Sequence, residues 1–148
     1  GEESALYHAH GVEHVVWFEA NEALLPALQQ NIARYPMQQF IAPYPLFSEN
    51  KTLKLNITNN PQSTSVFELG KHAEYYPGIV VNQVREVQAY RLDALMAVDP
   101  PYLPFTDCDF INIDTQGAEL AILKGMGQYL RQPSLKGIYL EVNSEPLY

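Results

Sequence analysis

The stretch Asp109-Phe110-Ile111-Asn112-Ile113-Asp114-Thr115-Gln116-Gly117-Ala118-Glu119 decides the fold. Its first half is a short apolar run ending on an acid, the pattern of a covered strand in a parallel sheet. Thr115-Gln116-Gly117 then reads as a tight turn, and Ala118 to Lys124 as an amphipathic helix stopped near Gly125. The same strand, acid, helix order occurs earlier. His14-Val15-Val16-Trp17-Phe18-Glu19 has four consecutive apolar residues before its acid, Asn21 and Glu22 open a turn, and Pro26 suits the first position of a helix carrying Leu25, Leu28 and Ile32 up to Tyr35-Pro36.

Working outward, Glu2 to His10 is predicted helical with Gly11 as its left-handed cap, and Gln39 to Ala42 is a short strand cut off by Pro43. Lys51 to Ile57 alternates apolar and polar residues, which predicts an antiparallel or edge strand. A polar loop over 59–65 follows, then a weakly helical patch from Val66 to Tyr75 and a turn at Pro77-Gly78. Val84 to Tyr90 reads as a half-solvated strand, Leu92 to Met96 as a helical turn, and Pro100-Pro101 with Pro104 as a stiff connection. Gly137 to Val142 is the last strand, interrupted by Glu141. The expected architecture is a single α/β domain with a mainly parallel sheet, an antiparallel or edge hairpin, and ligands at the carboxyl ends of the strands.

Composition narrows the function classes. The chain has 148 residues, of which 47% are apolar, enough for one core and too apolar for a disordered tail. Nine basic against seventeen acidic residues give a net charge of -8, which repels phosphate backbones and anionic lipid, so no nucleic acid is expected as a partner. Cys108 stands alone, which excludes an internal disulfide and permits a reducing, cytoplasmic location. No apolar run approaches a membrane span, so a soluble protein is expected. His8, His10, His14 and His72 show no ligand spacing on one element, and no metal is expected.

Several side chains are candidates for chemistry. Glu19 at a strand tip suits hydrogen bonds from two ribose hydroxyls, although an acid beside a helix start is stabilising without any ligand. Asp114 occupies the equivalent place on a later strand, with helix capping as the competing role. Gly117 allows close backbone approach, and Glu119 either faces the site or complements the helix dipole. Glu141 would need a partner or a raised pKa if buried. His72 is the one histidine placed to act as a general base. Ser63 and Ser65 offer hydroxyls, but polar loops carry serine for turn reasons as well.

Together, Val16-Trp17-Phe18-Glu19-Ala20-Asn21, Gln62-Ser63-Thr64-Ser65, Arg91-Leu92-Asp93-Ala94-Leu95, the run from Asp109 to Leu123, and Leu140-Glu141-Val142-Asn143 before Leu147-Tyr148 resemble, in that order, the FkbM family of S-adenosylmethionine-dependent methyltransferases. The resemblance implies a Rossmann-like methyltransferase sheet. It places Gly1-Glu2-Glu3-Ser4 at the tail of the glycine-rich loop, so the chain is expected to be a fragment truncated before the first strand and before the final strands. It implies that S-adenosylmethionine is held by Gly1 at its methionine portion and by Glu19 at its ribose, with Asn21 and Ser63 among the contacts and Asp114 and Gly117 near the transferred methyl. Ala42-Pro43-Tyr44-Pro45-Leu46 offers no acid for the adenine. The implied reaction is O-methylation of a hydroxyl on a sugar or small metabolite, with Asp114, Glu119 and His72, in that order, as candidate bases. Two other readings stay open. One is a non-catalytic Rossmann-like binding module, the other a nicotinamide-dinucleotide oxidoreductase, which shares an acid at the end of the second strand.

Overall fold

The computed structural model describes residues 1–98, 103–104, 107–144 and 147–148. The expected stiff connection at Pro100-Pro101 lies outside the described residues. The chain divides into two compact units, Gly1–Pro45 and Leu46–Tyr148.

The first unit is built on helix α1 (Ser4–Ala9), strand β1 (His14–Phe18), helix α2 (Leu25–Ile32) and strand β2 (Gln38–Ala42). Gly11, at φ +73°, follows the end of α1 in the conformation that glycine adopts without steric cost. A 3-10 turn at Glu22–Leu24 leads into α2, whose Pro26 lies in the first turn, where a missing N–H costs nothing. Leu28 and Ile32 are the buried stripe of α2. β1 and β2 pair in parallel, with Val16 opposite Phe40 and Phe18 opposite Ala42. Gln39 ties strand to helix: it accepts from Trp17 Nε1 at 3.0 Å and donates to the Ile32 carbonyl at 2.8 Å, satisfying one of the carbonyls a helix end leaves open. Tyr7 stacks on Trp17 at 5.8 Å.

The second unit holds strands β3 (Lys51–Thr58) and β4 (Val81–Ala89), the short helices α3 (His72–Tyr75) and α4 (Leu92–Met96), strand β5 (Phe110–Ile113), helix α5 (Glu119–Met126) and strand β6 (Gly137–Leu140). β3 and β4 are antiparallel, as the alternation of Leu53, Leu55 and Ile57 predicts, with a register shift at Ile57/Thr58. β4 begins three residues earlier than expected, at Val81, on exposed positions. β5 and β6 are parallel, with Phe110 opposite Gly137 and Ile113 opposite Leu140. Leu92 and Leu95 of α4 and Ile122 and Met126 of α5 are buried. Arg91, just before α4, ion-pairs with Asp93 and donates to the Ser48 carbonyl at 2.8 Å, and the guanidinium holds the Asp93 carboxyl below its ordinary range.

The α/β class is as expected, but the parallel sheet is not one continuous sheet. Among the described residues the strands form three two-stranded ladders, two parallel and one antiparallel. The two-faced cover expected for β1 and β5 is correspondingly incomplete: β1 holds no fully buried residue, Phe110 is 54% exposed, and in β5 only Ile113 is buried. An apolar run marks a strand, but how fully it is covered depends on neighbours outside the run. The end of α5 falls near Gly125, as expected, though Gly125 is not its cap. The helix passes through Gly125 and ends at Gly127, which has φ +54°. Gly125 serves close packing instead, since a Cβ there would fall inside the contact radius of the Phe47 carbonyl oxygen.

That close approach gives a test. Gly125→Ala would gain helix propensity of about 1 kcal/mol, yet forcing backbone atoms apart costs typically about 1–3 kcal/mol or more. The expected result in urea unfolding is a lowered midpoint, and a midpoint equal to or above that of the parent chain contradicts the packing described.

Candidate active site

The parallel register of β5 and β6 builds the site in the second unit. Because Ile113 lies opposite Leu140, the next residues, Asp114 and Glu141, leave adjacent strands side by side at their carboxyl ends. Glu141 stands just beyond β6, not within it, and is exposed; burial of this carboxylate, considered from the apolar strand sequence, is not found. Partial desolvation, and then the charge and hydrogen bond of Asp114, raise its pKa above the ordinary glutamate value, while a hydrogen bond from Gln116 opposes the rise. Gln116 bridges the pair. Its Nε2 donates to Asp114 Oδ1 at 2.7 Å and to Glu141 Oε2 at 3.2 Å.

The turn carrying Gln116 is held from two directions. Gln116 has φ +55°, the one non-glycine residue with positive φ among those described, and Gly117 follows at +104°. Ser65 Oγ, almost fully buried, donates to the Gln116 carbonyl at 2.7 Å. Ser65 is itself fixed by a two-way backbone bridge to Asn56 of β3. From the other side the buried Glu119 carboxylate accepts from the Thr115 amide at 3.0 Å, the Thr115 hydroxyl at 3.1 Å and the Gly117 amide at 3.1 Å. Glu119 is thus occupied in shaping the turn.

Tyr148 completes the group. Its hydroxyl donates to Gln116 Oε1 at 2.6 Å and hydrogen-bonds with Ser63. Its ring lies on Gly117, where a Cβ would come within 2.8 Å of Tyr148 Cβ. The close approach that Gly117 permits is therefore made, within this unit, by Tyr148. Burial and the nearby Glu141, Asp114 and Glu119 charges raise the Tyr148 phenol above its ordinary pKa. His72 packs its ring 5.2 Å from the Tyr148 ring and 4.9 Å from Tyr76, and its amide donates to the Leu147 carbonyl at 3.0 Å. The residue is buried, and among the described residues its Nδ1 meets no hydrogen-bond partner. Beside it Tyr75, Asn143, Ser144 and Leu147 line a concavity of about 230 Å³. Of the candidates, then, Ser63, His72, Asp114, Gly117 and Glu119 gather in one place.

Gly1, Glu19 and Asn21 belong to the first unit. Glu19 follows β1, and its carboxylate accepts from the Asn21 amide at 2.7 Å. Burial is the main influence on it and raises its pKa, against smaller lowering effects from the Asn21 and Ala20 amides. The buried Asn21 caps the 3-10 turn, its Oδ1 accepting from Ala23 N at 3.2 Å. Gly1 packs on α2, where a Cβ would approach Leu28 Cδ1 to 2.7 Å. Among the described residues no group of His, Cys, Asp or Glu is arranged to hold a metal ion, and no helix is long and apolar enough to cross a membrane.

The methyltransferase FkbM domain family matches residues 2–148, so the chain belongs to that family and is a methyltransferase by family. No curated protein and no solved structure matches it significantly. The family generally uses S-adenosylmethionine.

The sequence reading did not single out Gln116 or Tyr148 as functional side chains. The Glu119 clamp has a direct consequence. Glu119→Gln keeps the size but removes the charge that strengthens three hydrogen bonds, and is expected to lower the unfolding free energy by about 1–3 kcal/mol in urea titration. Parent-like stability would mean that the carboxylate is dispensable to the turn.

Proposed function

We propose that the protein is an S-adenosylmethionine-dependent methyltransferase that methylates a hydroxyl on a sugar or other small metabolite, and that its two units are parts of one Rossmann-like methyltransferase domain in the cytoplasm. The observation that carries the reading is the pairing of Asp114 with Glu141 at the carboxyl ends of parallel strands, in a chain whose family match runs through both units. Ligands of open parallel α/β sheets bind at that end.

The residues suit the cofactor. Glu19 is a half-buried carboxylate whose ionised form is disfavoured by burial, and hydroxyl donors would relieve that cost. Asp114, Glu119 and Glu141 form a cluster of negative charge that complements a sulfonium cation. When bound, S-adenosylmethionine supplies the electrophilic methyl group. In this reading Glu19 receives the ribose hydroxyls, Gly1 lies at the methionine portion, Asn21 holds the loop that presents Glu19, and Ser63 and Gly117 belong to the wall around the methyl. Asp114 accepts the proton of the acceptor hydroxyl, Glu119 keeps the turn in shape, and the unpartnered His72 Nδ1 takes a hydrogen bond from the acceptor or is the alternative base. The family match favours this reading over a dinucleotide oxidoreductase.

The test is calorimetric titration of S-adenosylhomocysteine, with NAD as the comparison ligand. Binding of the former alone supports the reading; binding of neither to the folded protein moves the assignment to a non-catalytic module. Glu19→Ala is expected to weaken binding by about 1.5–3 kcal/mol, the worth of a hydrogen bond to a charged group. The pH dependence has a definite sign. Ribose hydroxyls donate to the ionised carboxylate, so affinity falls as pH drops through the raised Glu19 pKa. In the free protein the same raised pKa means that stability is lost as pH rises through it, so Glu19→Gln is expected to stabilise the free protein at neutral pH while weakening ligand binding. A variant that binds as tightly as the parent removes Glu19 from the site.

A further inference from the structure

We propose that Gln116 is a positioning residue, whose side-chain amide, anchored at its oxygen by Tyr148, holds the Asp114 carboxylate in place beside Glu141 as the proton acceptor. The inference rests on the methyltransferase reading above and names the device that organises that site. A primary amide has one accepting end and one donating end. The Tyr148 hydroxyl occupies Oε1 at 2.6 Å, so the NH2 group is turned toward the two carboxylates, 2.7 Å from Asp114 and 3.2 Å from Glu141. The shorter bond goes to Asp114, and a donor favours the ionised form of the carboxylate it meets. With S-adenosylmethionine bound, the cofactor would supply the methyl group and its sulfur would keep the electron pair of the broken carbon–sulfur bond, while Asp114 would take the hydroxyl proton. Gln116 touches none of the reacting atoms.

His72 packs its ring on the same Tyr148 that orients the amide, and among the described residues its buried Nδ1 meets no hydrogen-bond partner. The charged and titratable groups facing Glu141 are Asp114 at the end of β5, Glu119 on α5 and Tyr148, so a change in its titration is read against those three.

The experiment is a carbon-13 carboxyl NMR titration of Glu141 in the full chain and in Gln116→Gly and Gln116→Glu. Glycine suits the positive φ and removes the amide, so loss of fold is not the expected outcome. The Glu141 midpoint is expected to move upward in Gln116→Gly, which loses the N–H donor, and further upward in Gln116→Glu, which puts a third acid in its place. Ser65→Ala, which loosens the turn from its other side without touching the amide, is expected to leave the midpoint in place. An unmoved midpoint in both Gln116 variants, or an equal movement in Ser65→Ala, overturns the proposal. Calorimetry of the parent chain with S-adenosylhomocysteine separates the two failures: loss of the methyltransferase reading appears there, whereas the Gln116 proposal is decided by the titration alone.

Discussion

Three hydrogen-bond donors converge on the carboxylate of Glu119, and the site in the second unit depends on that convergence. A non-glycine residue in the left-handed region costs on the order of 1 kcal/mol, and such a conformation persists only where its surroundings over-determine it. Glu119 fixes the amides on either side of Gln116, and Ser65 fixes the Gln116 carbonyl. With the backbone held, the Gln116 side chain lies between two carboxylates that the parallel register has already brought together. The acid that opens α5 therefore acts on the carboxylate pair through the turn.

The same physics governs the crowding of negative charge. Asp114, Glu119 and Glu141 act on one another and on Tyr148 in a chain that already carries a net charge of -8. Such a cluster is tolerable when each carboxylate meets a donor, and all three do: Glu119 through backbone amides, Asp114 and Glu141 through Gln116. A cluster arranged in this way is suited to a cationic ligand.

Much of the local structure was legible in the sequence because it rests on local chemistry. The apolar run 14–18 is β1, Pro26 with Leu28 and Ile32 marks α2, the alternation of Leu53, Leu55 and Ile57 marks the antiparallel β3, and Leu92–Met96 is helical with the expected bounds. Asp114 at a strand end was legible for the same reason. What stayed hidden depends on partners far along the chain. Gln116 looks like an ordinary turn residue until Glu141, 25 positions away, and Tyr148, 32 away, meet its two ends. Gly125 reads as a helix stop because glycine usually is one, and only the approach of the Phe47 carbonyl shows why it sits inside the helix. His72 falls in a segment with no clear period, so its burial carried no mark in the sequence.

The most direct measurement is NMR mapping of S-adenosylhomocysteine on the isotope-labelled chain. The account predicts saturable shifts of the backbone amides from Glu19 to Asn21 and from Thr115 to Gly117, the segments that follow the two acid-terminated strands. Saturable binding that leaves both segments unshifted would contradict it.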